Sequence, residues 1–175
     1  MNRRLLAVIS IATLILISLT VYYVGVSSER NVYEIEMYEF SYRVKDGGSS
    51  IVLKSGERYV FKVRNIGGAP HELMIVRDKD AVINNAHKMI SRLMDRGLNG
   101  EALMEEFENM HHEMEEEMRN SGNLLYKIEL APGEEGNIEV SFSDPGIYYI
   151  ICLELEGSYP KTHADMGMIE KIIVE

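Results

Sequence analysis

Cys152 is the only cysteine in this chain of 175 residues. A lone thiol has no partner for an intramolecular disulfide, so it pairs between chains, reacts, packs as a small hydrophobe or binds a metal. The residues after it favour metal binding. The chain reads Cys152-x10-His163-Ala164-Asp165-Met166-Gly167-Met168, a thiol, an imidazole and thioethers within one loop. These are soft or borderline donors, which favour copper over calcium or magnesium. A trigonal copper site needs a second imidazole. His71 is the candidate, in Gly67-Gly68-Ala69-Pro70-His71-Glu72-Leu73, where a Gly/Pro turn enters an apolar segment. Taken singly, each residue has an ordinary structural reading, His71 as a hydrogen-bonded core histidine and Met166 or Met168 as packing. The weight lies in all four occurring in order at loop–strand junctions.

The elements that would hold these donors are short and alternating. Tyr33, Ile35 and Met37 alternate with Glu34 and Glu36, and Tyr38, Phe40 and Tyr42 continue in the opposite phase, which predicts a bulge near Met37 and Tyr38. Turns are expected at Gly47-Gly48 and Ser55-Gly56, with strands over 51–53, 59–63 and 72–76. Further strands are expected around Tyr126, Ile128 and Leu130 and around Ile138, Val140 and Phe142, separated by Pro132-Gly133. After Asp144-Pro145-Gly146, residues 147–153 are continuously apolar, as in a strand buried on both faces, and residues 169–174 close the chain. Seven or eight short strands with turns at this spacing predict an antiparallel β-sandwich.

Residues 79–119 break the alternation with helical periodicity. Val82, Ala86, Met89, Ile90 and Leu93 share one face, with Gly97 as the stop. Asn99 would cap a second helix whose apolar face is Leu103, Phe107, Met110, Met114 and Met118. The segment reads as a helical hairpin inserted between two strands.

Asn65-x5-His71-Glu72-Leu73, together with a Cys…His…Gly-Met tail before a final strand, resembles the plastocyanin/azurin-type cupredoxins. The resemblance covers residues 32–76 and 123–175. It implies an all-β, Greek-key antiparallel β-sandwich holding one type 1 copper per chain, and a function in one-electron transfer. Carried over position by position, His71 and His163 would supply the imidazoles, Cys152 the thiolate and Met168 the weak axial thioether. The departure is the loop between Cys152 and His163, whose ten residues exceed the few usual in the family. That leaves Met166 as a rival to Met168, with Glu154 or Glu156 as more remote alternatives.

A 22-residue run without charge spans residues 5–26, preceded by Arg3 and Arg4. At about 1.5 Å per helical residue it can cross a bilayer. Its length and positive flank fit an uncleaved signal anchor better than a cleaved signal peptide, although Val24-Gly25-Val26-Ser27-Ser28 offers a weak cleavage site. Residues 1–30 are therefore expected to be an N-terminal transmembrane helix with a short linker. Residues 31–175 would be a single domain outside the cytoplasm, carried by a single-pass cell-membrane protein. Without Arg3, Arg4, Arg30 and Glu29, that domain has 15 basic and 27 acidic residues, a formal charge of −12. So acidic a surface repels nucleic acid and anionic lipid and would suit a cationic partner.

Two functions are compatible with these residues. The first is an electron carrier serving redox partner proteins, a membrane respiratory complex being one candidate. The second is a copper-binding or delivery protein using the insertion, where Met104, Met110, His111, His112, Met114 and Met118 lie among eight glutamates. The alternative account of these methionines is an apolar helix face. An enzyme is not expected. A binuclear copper centre needs two cysteines, multicopper oxidases need His-x-His pairs, and no Ser/His/Asp order or phosphate-binding glycine loop stands out.

Overall fold

The computed structural model describes residues 31–45, 50–155 and 160–175. The expected membrane span and the Gly47-Gly48 turn lie outside the described residues. Among the described residues no helix is long and apolar enough to cross a membrane. The chain divides into two units, Met1–Val32 and Tyr33–Glu175, and the sandwich is built by the second.

The strands are β1 (Val32–Met37), β2 (Tyr42–Lys45), β3 (Ile51–Leu53), β4 (Arg58–Asn65), β5 (His71–Val76), β6 (Leu124–Leu130), β7 (Glu135–Ser141), β8 (Gly146–Ile151) and β9 (Ile169–Val174). Two helices, α1 (Lys79–Asp95) and α2 (Gly100–Asn120), stand between β5 and β6, where the sequence placed a hairpin. One sheet has the order β2-β1-β4-β7, the other β3-β9-β8-β5-β6.

Two expectations need correction. The sandwich is mixed rather than antiparallel, because β3 runs parallel to β9 with Ile51 opposite Ile172. The long connection between them imposes no hairpin reversal, so direction is set by packing instead. The phase change at Met37 and Tyr38 is also not a bulge. It is a turn, in which the Tyr38 N–H donates to the Ser41 carbonyl at 2.9 Å and Met37 faces Tyr42 across the β1–β2 pair. Aromatic residues on both sides of a turn simulate one strand with a slipped phase.

The apolar residues form two cores. The first lies between the sheets and includes Ile35, Met37, Phe61, Leu73, Ile75, Ile150 and Met168. The second lies between the five-stranded sheet and the helices, and includes Met74, Val76, Ile151 and Leu153 from the sheet and Val82, Leu93, Phe107, Met114 and Met118 from the helices. Strand β5 is accordingly buried along its whole length, odd residues facing one core and even residues the other.

Helix α1 follows the expected pattern, burying Val82, Ala86, Met89, Ile90 and Leu93. The Asp78 carboxylate accepts the Ala81 N–H at 2.9 Å and caps its start. Gly97, at φ +85°, ends it in the left-handed conformation that glycine adopts at least cost. Helix α2 differs. Leu103, Phe107, Met114 and Met118 are buried, but His111 and Glu115 are buried beside them, while Met110 is only half-buried. Counting apolar residues alone misses two polar side chains that reach inward to a charged partner.

Phe61 is fully buried and meets Tyr33 edge-to-face at 5.7 Å between ring centroids. Phe61→Ala is expected to cost about 3–5 kcal/mol of stability, measured by urea unfolding. A loss below about 1 kcal/mol would show that this face is not the packed centre of the sandwich.

Candidate metal centre

Pro70 precedes β5 and removes one backbone donor from the loop 66–70, so a side chain must hold that loop in place. Asn65, fully buried, does so. Its Nδ2 donates to the Ala69 carbonyl at 2.8 Å and to the Leu130 carbonyl at 2.9 Å, while its Oδ1 accepts the Gly67 N–H at 2.9 Å. The loop therefore presses against the ring of His71. A Cβ on Gly67 would sit 2.7 Å from His71 Nε2, closer than side-chain contacts tolerate, so only glycine fits there.

Cys152 and His163 are held by a second set of bonds. The His163 N–H donates to the Glu154 carbonyl and the Ala164 N–H to the Cys152 carbonyl, both at 2.8 Å. Leu155 and Thr162 form a β-bridge. The ten-residue excursion thus closes on itself and returns His163 to Cys152, which is why its length does not separate them. Glu156 and the tip of the excursion lie outside the described residues. A 3-10 turn, Ala164–Met166, comes next, closed by Gly167 at φ +107°, and the Met168 N–H donates to the His163 carbonyl at 2.9 Å. The Asp165 carboxylate fixes this turn by accepting from the Thr162 N–H at 3.0 Å and hydroxyl at 2.9 Å, and it meets His87 Nε2 of α1 at 2.8 Å. His87 is exposed and ties α1 to the loop.

These anchors bring three expected donors together. His71 Nδ1 lies 3.1 Å from His163 Nδ1, which lies 3.5 Å from Cys152 Sγ. The three residues are buried, and their donor atoms fall within 4.8 Å of one another. A metal bonded at about 2.0 Å to nitrogen and 2.3 Å to thiolate sulfur spans donors roughly 3–4 Å apart, so the spacing fits one first-row ion. Met168 is fully buried in the same core as Cys152, whereas Met166 is half-buried and outside it. Phe40 lies edge-on to the His163 ring at 5.4 Å between centroids.

The electrostatics suit a bound cation. Burial pushes the Cys152 thiol well above its ordinary pKa and the nearby Glu72 carboxylate adds to the effect, while N–H groups of Glu72 and Glu154 pull the other way. Without a metal the sulfur keeps its proton, and a bound cation supplies the charge that replaces it. Burial and the carboxylates of Glu72 and Glu129 raise Glu154 to about 7. Half-buried beside the site, it offers its backbone to His163.

No protein-family model matches the sequence, and no curated protein matches it. Solved structures do. Sodium-dithionite-reduced auracyanin from the photosynthetic bacterium Roseiflexus castenholzii superposes with a TM-score of 0.50 at 20% identity, covering 83% of this chain and 97% of that one. Auracyanin B superposes with a TM-score of 0.51 at 16% identity, covering 82% and 88%. The fold is cupredoxin-like. Within that cupredoxin-like sandwich, the imidazole–thiol–imidazole cluster can hold one metal ion.

The candidate copper donors of the insertion are divided between core and surface. Met114 and Met118 are buried among apolar neighbours and His111 is buried between two carboxylates, leaving His112 exposed and Met104 and Met110 half-buried. Sequence reasoning missed a charged cluster on the far side of β5, where Glu72, Lys127, Glu115 and His111 meet. The available signal was Glu72 itself, a charge at the head of an apolar strand.

Asn65→Ala removes the three side-chain hydrogen bonds that tie the loop behind His71 to Leu130 of β6. The expected loss is about 2–4 kcal/mol in urea unfolding, with altered ring chemical shifts for His71. Unchanged stability would show that Asn65 does not hold the loop.

Proposed function

We propose that this protein is a type 1 copper protein that carries single electrons, with His71, Cys152 and His163 as the strong ligands and Met168 as the axial one. The observation that carries this reading is the convergence of two imidazole Nδ1 atoms and one thiol sulfur in a buried pocket. Copper in such a donor set supplies a one-electron couple between Cu(I) and Cu(II), both of which accept two imidazoles, a thiolate and a long thioether.

The chain's own part is to hold the donors and keep water out. His71 is braced by Gly67 and the Asn65-pinned loop, and Cys152 and His163 by their mutual backbone bonds. Donors fixed before an electron arrives need little movement when it leaves, which keeps exchange fast. With 0% and 1% exposure, His71 and His163 do not themselves reach solvent. The half-buried Phe40 ring stands edge-on to His163 and is the place for a partner to approach.

Residues 5–26 are proposed to anchor the chain in the cell membrane as a single span, with the copper domain on the extracytoplasmic side. Its partners would be redox proteins, a membrane respiratory complex among them, and its acidity favours a basic docking surface. Electron carriage rather than catalysis fits a site with one cluster of donors closed off from substrate-sized molecules.

Two measurements test this. Addition of Cu(II) should give an intense thiolate-to-copper absorption band with one copper per chain, lost in Cys152→Ala. A folded protein that binds no Cu(II) overturns the reading, and two or more tightly held copper ions point to delivery instead. In its native cells the protein should remain with the membrane pellet through a high-salt wash and leave it only with detergent; recovery in the wash would sink the anchor.

A further inference from the structure

Glu72 is fully buried, and it touches the segment just beyond β8 twice. Its backbone N–H points at Cys152 Sγ, 3.5 Å away, and its carboxylate Oε1 accepts the N–H of Leu153 at 2.8 Å. Its carbonyl in turn accepts the Tyr42 hydroxyl at 2.6 Å, from the opposite sheet. A carboxylate with no solvent access survives only if a countercharge accompanies it.

That countercharge is Lys127 on β6. Its Nζ lies 3.0 Å from Glu72 Oε2, pairs also with Glu115 Oε1 of α2, and is 3.5 Å from Glu129 Oε2. His111 stands between the two acids, its Nε2 3.7 Å from Glu72 Oε1 and its Nδ1 3.6 Å from Glu115 Oε1. Burial works against the Lys127 ammonium, but the charges and hydrogen bonds of Glu72 and Glu115 outweigh it and hold its pKa above the ordinary lysine value.

Glu72, His111 and Glu115 have the spacing of a metal site, with ligand atoms within 4.8 Å of one another. The ammonium already sits against both carboxylates, however, and would repel a divalent ion. Lys127 is the resident cation. This cluster is therefore not a second copper site, and its chemistry lies in what it does to Glu72.

We propose that Lys127, supported by Glu115 and His111, is a positioning residue for the metal centre: it holds Glu72 against Cys152 and Leu153 and compensates the carboxylate charge behind the thiolate. This rests on Cys152 being the copper thiolate. The helical insertion then contributes to the redox site itself, since α2 supplies two of the four members. In a dry interior the sign of a nearby charge acts directly on the couple. An added negative charge favours the oxidised, more positive site, and an added positive charge favours the reduced one.

The test is a charge cycle in the full chain. Glu72→Gln keeps an acceptor for Leu153 and removes a negative charge, so the midpoint potential should rise. Lys127→Met removes the positive charge, so the potential should fall, and the double variant should return close to the parent. In the metal-free protein, amide hydrogen exchange at Leu153 should accelerate several-fold in Lys127→Met and recover in Lys127→Arg. Single-variant shifts that are absent or of the same sign, in folded proteins that keep the thiolate band, overturn the proposal. If Lys127→Met does not fold, Glu115→Gln replaces it with the opposite expectation, a raised potential, and no shift there also overturns the proposal. A parent protein without the thiolate band would instead overturn the copper reading, and metal-free exchange at Leu153 would then decide the positioning role alone.

Discussion

Everything in this molecule depends on two neighbouring strands being covered on both faces. A β-strand sends alternate side chains to opposite sides, and neither side meets water along β5 or at Ile150 and Ile151, the end of β8 that leads to Cys152. In β5, Leu73 and Ile75 enter the core between the sheets, while Met74 and Val76 enter the core under the helices. In and just beyond β8, Ile150 and Cys152 take the first side, Ile151 and Leu153 the second. The same alternation separates the chemistry. His71 and Cys152 emerge on the sandwich side, and Glu72 and Leu153 on the helix side. One residue of slip in either strand would exchange the two sets.

Double coverage also explains why the thiol sits where its proton is hard to remove. A sulfur in contact with water could be charged by solvation alone and would be open to oxidation. Cys152 has 0% exposure and gains stabilisation as a thiolate only from N–H donors and from whatever cation its imidazole neighbours hold beside it. Rigidity comes from the same arrangement. The loop behind His71 is fixed by a side chain with three hydrogen bonds, and the ligand loop by backbone bonds between Cys152, Glu154, His163 and Ala164.

Much of this was legible in the sequence because period and residue type are local properties. The continuous apolar run over 147–153 announced a strand buried on both faces, which holds from Ile150 to Leu153 while Ile147 is exposed, and the face of α1 was readable residue by residue. The candidate donors His71, Cys152 and His163 could be picked out because imidazole and thiol at loop–strand junctions are rare enough to notice, and the structure brings them together. What remained hidden depends on contacts between distant segments. The parallel pairing of β3 with β9 leaves no local trace. The turn at residues 38–41 is masked by aromatic residues that look like strand. The inward direction of His111 and Glu115 is decided by Lys127 on β6, which no periodicity within α2 reveals.

The helical hairpin leaves and rejoins the sheet at one point. Val76 faces Leu124 across the β5–β6 pair, and the Arg77 N–H donates to the Asn123 carbonyl at 3.1 Å. A two-residue turn there would connect the same strands, so the hairpin could be excised without altering the sheet's connectivity. It could not be excised alone. Met74, Val76, Ile151 and Leu153 would form an adhesive patch on a bare sheet, while polar residues in their places would be stranded beneath the helices. Helices and apolar sheet face are therefore one structural unit, and removing either leaves the other uncovered.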